Sequence, residues 1–342
     1  MRKISNIVVC NFFLLSSLFA INFSAYCQNN TQIRGFVDVT SAIKNEKLSF
    51  ALGEQDLFIT SELNDRFSFL GESVFKFTSG SPTTFSVSIE RIIVKYNYAG
   101  NHNILIGKHH TPINYWNDTY HHGRVFFPTI YRPILFDAHI IPLHTTGISF
   151  QGQNLGDLRF GYDLMIGNGI GSTDVLDNDK RKSITAAIHA KPADGLRIGV
   201  SWYNDMISKG SKEHDGDHIY NWDIHQNLFT GSVAYFGDKV EVLSEITAGR
   251  DKTDTTGIKN SLAAYLYGGV KIKEKYVPYF RLDRLHFQEG EIFFDKDNKT
   301  SVVIGFRYNI NYLTAVKLEY QYLHSENNGN TNSVTAQVAI GF

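Results

Sequence analysis

The feature that most limits what this chain can fold into is a two-residue alternation of apolar and polar side chains, repeated in segment after segment. Successive strand residues face opposite sides of a sheet, so this period means strands with one apolar and one polar face. In Arg66 to Thr78, Phe67, Phe69, Phe75 and Phe77 share one face while Ser68, Glu72 and Lys76 take the other. In Tyr312 to Leu323, Thr314, Val316, Leu318, Tyr320 and Tyr322 alternate with Lys317, Glu319 and Gln321. Leu196, Ile198, Val200 and Trp202 likewise oppose Arg197, Ser201, Tyr203 and Asp205. The pattern predicts sixteen strands, near 32–41, 51–61, 65–78, 83–98, 102–110, 143–152, 157–168, 182–191, 195–205, 226–236, 239–250, 260–273, 276–286, 300–309, 312–323 and 332–342. In the fourth, Val87 and Ile89 share a face with Ile92 and Val94 although Glu90 and Arg91 intervene, which predicts a bulge.

The links alternate as well. Short ones at Leu63 to Asp65, Ala99 to Asn101, Asn154 to Gly156, Pro192 to Gly195, Gly237 to Asp238, Glu274 to Lys275 and Ile310 to Asn311 interleave with long ones at 42–50, 111–142, 169–181, 206–225, 251–259, 287–299 and 324–331. Only 79–82 is short where a long link is expected. Every hairpin then opens the same way, and both chain ends reach the short-turn rim.

The polar face carries Glu72, Lys76, Arg159, Asp163, Arg197, Glu241, Glu245, Lys271, Arg281, Asp283, Arg307, Lys317 and Glu319. So many charges do not fit a dry sandwich core, where each unpaired one costs several kcal/mol. Beyond the first 27 residues no apolar run is long enough for a membrane helix, and a membrane barrel needs none. The expected fold is an all-β, 16-stranded antiparallel transmembrane β-barrel with an aqueous lumen lined by these charges. The competing soluble fold, a two-sheet sandwich or a lectin-like solenoid, predicts neither the alternating link lengths nor the aromatic Phe342 that ends the last alternating strand.

Arg2 and Lys3, the apolar run Ile7 to Phe23, and Ala25 and Cys27 form the pattern of a signal peptide over residues 1–27, leaving 28–342 as the barrel. A retained anchor or a lipid-modified Cys27 is the alternative, and the bulky Tyr26 fits a lipoprotein signal poorly. Both cysteines, Cys10 and Cys27, lie in this segment, so the barrel would have no disulfide or thiolate ligand. Of 33 basic residues, removing Arg2 and Lys3 leaves 31 against 34 acidic, a net charge of −3 that gives no reason to invoke nucleic acid.

The stretch 111–142 interrupts the alternation. With its flanks it holds Pro112, Pro128, Pro133 and Pro142 and the histidines His109, His110, His121, His122, His139 and His144. Its aromatics, among them Trp116, Tyr120, Phe126, Phe127 and Phe136, argue against disorder. The expectation is a loop folded into the lumen as a constriction, with Lys108, His110, Arg124, Arg132 and Asp137 near the narrowest point, where Arg124 and Arg132 would face Glu241 or Glu245 or pin the loop to the wall by ion pairs. The histidines, with Asp118 and Asp137, are ligand types for zinc, copper or nickel, yet adjacent strand residues point to opposite faces, so no metal and no cofactor is assigned. Asp174, Asp177 and Asp179 and the run Glu213, Asp215, Asp217 are candidate sites for divalent cations bridging lipopolysaccharide. No Gly-x-Ser-x-Gly turn occurs, and the chain is not read as an enzyme.

Gly107-Lys108-His109-His110-Thr111-Pro112-Ile113-Asn114, after the strand Glu90 to Tyr98, is similar to the Gly-Arg-x-x-Thr-Pro pattern of the phosphate-selective porin family. The resemblance to bacterial outer-membrane porins implies a barrel over residues 28–342, the loop after strand five as pore constriction, and a homotrimer. Lys108 stands where Arg is usual and the lumen mixes acids with bases, so no anion preference follows. The expected function is passive diffusion of small hydrophilic solutes or ions through the outer membrane of a Gram-negative bacterium. The alternative is a non-conducting scaffold of a surface complex, plugged by loop 111–142. Expected partners are outer-membrane lipid and lipopolysaccharide, the solutes, and the barrel-assembly machinery, which would read Phe342 as an insertion signal.

Overall fold

Sixteen antiparallel strands close on themselves, each paired with its sequence neighbours and the first with the last. The structure, a computed structural model, describes residues 30–44, 46–77, 85–120, 123–169, 177, 179–211, 219–294 and 297–342. The expected signal peptide at 1–27 lies outside them. The strands are β1 (Asn30–Lys44), β2 (Lys47–Glu62), β3 (Phe67–Phe77), β4 (Phe85–Ala99), β5 (His102–His110), β6 (His144–Leu155), β7 (Phe160–Gly167), β8 (Ser183–Ala193), β9 (Leu196–Ile207), β10 (Ile224–Phe236), β11 (Val240–Thr253), β12 (Gly257–Val270), β13 (Tyr276–Phe287), β14 (Lys299–Asn311), β15 (Thr314–Ser325) and β16 (Gly329–Gly341). Two short helices, α1 (Tyr115–Thr119) and α2 (Ile134–Asp137), lie between β5 and β6.

Closure satisfies every edge. β1 meets β16 with Phe36 opposite Gly341, and Gly35 and Phe342 exchange two backbone hydrogen bonds of 2.9 Å. Ile106, Ile148, Leu164, Ile198, Phe229, Ile246, Phe280, Ile304 and Leu318, on nine different strands, are all exposed on the outer face. An apolar belt around a sheet with no free edge is what lipid requires, because the hydrocarbon offers no hydrogen bonds to backbone groups. The barrel therefore spans a membrane. At the short-turn rim the belt ends in aromatics: Tyr276 stacks on Tyr308 at 5.1 Å and Phe67 on Tyr96 at 4.7 Å. Among the described residues no helix is long and apolar enough to cross a membrane.

The parity break in β4 is a bulge: Glu72 faces Arg91 and Ser73 faces Ile89, leaving Glu90 unopposed. Val87, Ile89, Ile92 and Val94 are consequently all exposed on the outside.

Three links expected to be long are tight. Lys44 pairs with Lys47, Thr253 with Gly257 and Ser325 with Gly329, so 42–50, 251–259 and 324–331 are mostly ladder. Around Arg250, Lys252 and His324 both faces of the strands are polar because there they rise out of the hydrocarbon. The expected link 79–82 lies outside the described residues.

Candidate functional site

The stretch that breaks the alternation is anchored at a polar neck. Gly107 has φ 133°, and a Cβ there would sit 1.9 Å from the Ile92 carbonyl oxygen, so glycine is obligatory. Thr111 and Thr145 hydroxyls are 2.7 Å apart, and the Asn117 amide donates to the carbonyls of Thr111 (3.0 Å) and Leu143 (3.1 Å), tying both ends of the loop together. Asn114, at φ 73°, caps α1 by accepting from the Asn117 backbone N–H at 3.2 Å.

Beyond the neck the loop docks on inward-facing side chains of β9 to β15. Ile113, Trp116, Phe127, Leu135, Phe136 and Ile140 form one buried cluster with Tyr203, Leu228, Leu243, Tyr265, Tyr279 and Phe287 of the wall. Trp116 is fully buried, edge-on to Phe127 at 5.5 Å and Tyr265 at 6.0 Å. The aromatic residues on the nominally polar faces of β12 and β13 thus mark where the loop lands.

Wall charges satisfy the loop backbone. Glu245 accepts from the N–H groups of Tyr115 and Trp116 and from the Tyr265 hydroxyl. Glu319 accepts from Ile130 N–H at 2.6 Å and the Tyr279 hydroxyl at 2.7 Å, and Asp283 from Ile134 N–H at 3.3 Å. Arg281 donates to the Thr129 hydroxyl and the Tyr131 carbonyl, both at 2.7 Å, and pairs with Asp283 at 2.9 Å. Arg307 donates to the Pro128 carbonyl (3.1 Å) and grips Glu241 at 2.7 and 2.9 Å. Lys317 donates to the carbonyls of Arg124 (2.6 Å) and Thr129 (3.2 Å).

The positions expected to line the lumen therefore divide. Glu241, Glu245, Arg281, Asp283, Arg307, Lys317 and Glu319 point inward and are buried under the loop. Glu72 is buried in an ion pair with Arg91, and Lys271 donates to the Gly237 carbonyl at 2.9 Å. Lys76, paired with Glu54 at 3.3 Å, keeps water access, and Asp163 and Arg197 are half-buried across from the loop. Arg159 sits in the β6–β7 turn and pairs with Asp194 at 3.0 Å, off the lumen wall, because β7 begins only at Phe160.

The expected constriction residues also separate. Arg124 is a pin, 3.2 Å from Glu54 and 3.5 Å from Asp38, while the Gly123 N–H donates to Asp56 at 3.4 Å. Arg132 lies 6.0 Å from the Phe127 ring centre, and Asp137, at the end of α2, is exposed. Lys108 corrects the sequence expectation: its cross-strand partners are Ile92 and Thr146 and it shares parity with the exposed Ile106, so it lies on the outer side, donating to the Ile89 carbonyl at 2.7 Å. His110 has the same parity and sits 5.5 Å from the His144 ring, whose Nε2 is 3.2 Å from Glu90. Among the described residues no three His, Cys, Asp or Glu side chains converge as a metal site. His121, His122, Asp174, Glu213, Asp215 and Asp217 lie outside the described residues.

Asp38, Asp56 and the neck residue Asn117 were not singled out from sequence. Asp38, between Val37 and Val39, carried the signal: a lone acid at an inward position beside the closing seam.

Two spaces remain. A cavity of about 440 Å³ opens beneath the loop at the short-turn rim, lined by Tyr120, Phe126, Lys273, Lys275, Asn309 and Tyr312 among others. A narrow cleft of about 30 Å³ separates loop residues Asn114, Tyr115 and Asp118 from Asp163, His189, Arg197 and Ser201 on β7 to β9. There Arg197 pairs with Asp118 at 2.7 Å and lies 5.1 Å from the Tyr115 ring centre.

A closed barrel of sixteen strands has counterparts among solved structures. The anion-selective porin from Comamonas acidovorans matches with a TM-score of 0.67 at 10% identity, over 92% of this chain and 100% of that one. The fold is that of the outer-membrane porins. The trimer form of OmpT, an outer membrane protein of Vibrio cholerae, matches with a TM-score of 0.66 at 13% identity, over 92% and 99% of the two chains. The outer membrane channel DcaP of Acinetobacter baumannii gives 0.61 at 14% identity, over 92% and 97%. No protein-family model matches the sequence, and no curated protein does.

Proposed function

We propose that this protein is a porin that lets small hydrophilic solutes and ions diffuse across the outer membrane between the docked loop and the wall formed by β4 to β8. One observation carries the reading. The loop is bonded to β1, β2 and β9 to β15, where the inner wall is aromatic and charged, whereas on the β7 and β8 side a narrow cleft separates it from Asp163, Ala187 and His189. Sixteen strands enclose more volume than side chains alone fill, so a loop tied to one side leaves a passage on the other. The Gly107 to Asn114 resemblance supports a porin, and its extension to phosphate selectivity finds no arginine ladder here. No catalytic role is assigned.

Single-channel recording in planar bilayers tests the reading. Wild-type protein should conduct, and replacing Asn117 to Asp137 with a Gly-Ser bridge should raise the conductance. A barrel closed until the loop is removed would make it a plugged scaffold instead. Equal conductance with and without the loop would mean that the loop does not restrict the passage.

Three associated proposals rest on the same fold. Residues 1–27 are removed as a signal peptide. Phe342, outward-facing and 56% exposed, is read by the assembly machinery, so deleting it should lower outer-membrane levels and leave protein in the periplasm. A homotrimer forms on the β1–β2 side, where Ile43, Leu48 and Phe50 keep the outer face apolar to the hairpin tip, and cross-linking in membranes checks it.

A further inference from the structure

On most strands the outer face turns from apolar to basic or amide side chains at the upper edge of the belt, and on β11 and β13 it turns strongly basic. On β11 the outward series Val242, Ile246, Ala248 continues into Arg250 and Lys252, and on β13 Phe280 and Leu282 continue into Arg284 and His286. A strand tilted by about 40° climbs roughly 2.5 Å per residue, which puts Arg284 and Arg250 about 20 and 25 Å above the first residues of their strands, at the top of an apolar band about 25 Å tall.

These charges have no internal partner. Among the described residues the side chains of Arg250, Lys252 and Arg284 make no ion pair, and Arg284 donates to the Thr300 hydroxyl at 2.5 Å. The acids of the same strands at this height, Asp251 and Asp283, point inward and are buried. Asp254 and Glu289 are in the connecting links beyond the strand ends. On the other side of the barrel, at the same rim, β1 and β2 present Ile43, Leu48 and Phe50, so the basic residues do not ring the barrel.

A cation at the lipid boundary is favourable only with an anion beside it, and the outer leaflet at the long-loop rim of such a barrel supplies phosphates. We propose that Arg250, Lys252 and Arg284 bind the phosphate groups of lipopolysaccharide, making the β11–β13 arc a lipid-holding face. The site does not depend on the pore conducting.

The test uses folded full-length protein in detergent, with native mass spectrometry reading the bound lipid. Three ligands are compared: lipopolysaccharide, the same lipid with its phosphates enzymatically removed, and inorganic phosphate. Combining Arg250→Gln, Lys252→Gln and Arg284→Gln should weaken lipopolysaccharide binding on the order of a hundredfold, since each lost charge near an anionic surface weakens binding several-fold. The heat-modifiable gel shift and the conductance should stay as in wild type, and the single variants provide intermediate values should the triple one fail to fold. Dephosphorylated lipid should bind the wild type as weakly as intact lipid binds the triple variant. Lys259→Gln, an inward charge at the same height, should change nothing. Undiminished binding by the triple variant, equal binding of dephosphorylated lipid, or an equal loss with Lys259→Gln would each overturn the site. Full competition by millimolar inorganic phosphate would make it a soluble-anion site and refute the lipid assignment.

Discussion

The inner walls of β9 to β15 and of β4 to β8 share one strand geometry and one alternation, yet they do opposite things. On the first, Arg281, Arg307 and Lys317 are buried and spend their donors on loop carbonyls, while Tyr203, Tyr265 and Tyr279 fill the gaps between them. On the second, inward positions are mostly small or singly charged, and Asp163 faces Asp118 and Arg197 across a cleft. A charge on the polar face of a barrel strand is therefore not by itself a pore-lining charge. Whether it meets water depends on what docks over it.

The largest effect that can break this contrast is on Trp116. Replacing it with alanine empties a site with no solvent exposure and should lower the unfolding free energy by about 3–5 kcal/mol, read by urea unfolding of the refolded barrel. An unchanged midpoint would mean the loop is not part of the cooperative fold.

Next in size is a matched pair. Arg281→Gln leaves Asp283 and the Tyr131 carbonyl without a cation in a dry site and should lower stability by about 3 kcal/mol. Lys76→Gln, whose side chain is 43% exposed beside Glu54, should change it by no more than about 1 kcal/mol. Equal losses would erase the difference between the walls.

A smaller effect sharpens the functional half of the comparison. Asp163→Asn should move the reversal potential in a salt gradient towards anions while shifting stability by no more than about 0.5 kcal/mol. No shift in selectivity would take β7 out of the passage.

The smallest concerns pH. Crowding by surrounding protein raises the Asp137 carboxyl above the usual carboxylate range, against the opposing pull of Arg281 and Arg132, although water reaches the group. Its neutral form is thus favoured by the fold. As pH falls through the raised value the loop loses a negative charge and the fold gains slightly in stability, because the unfolded chain takes up that proton only at lower pH. Selectivity should drift towards anions at a higher pH than an ordinary carboxylate would give, and Asp137→Asn should abolish the drift.

Strand number, facing and order were legible in the sequence because each strand has to satisfy two solvents at once, and lipid on one side leaves its mark every second residue. The Glu90 bulge was legible for the same reason: an extra residue is visible when Ile89 and Ile92 must both meet lipid. Link lengths were less so. At Lys252 and Ser325 the strands run on beyond the hydrocarbon, where neither face is held to it and the alternation fades although the ladder continues.

The sequence by itself determined that 111–142 had to pack against something, because Trp116, Phe127 and Phe136 do not stay in water. Only the tertiary structure decided where. Glu245 and Glu319 read in the sequence as lumen charges and became acceptors for loop N–H groups. Arg124 read as a pore cation or a pin and is a pin, with Asp38 and Glu54 as partners instead of Glu241 or Glu245, and Lys108 turned to the outer side. The reason is one of range: alternation is written by each residue's own solvent, whereas these roles depend on contacts between residues far apart in the chain, such as Ile130 with Glu319, which no local period records.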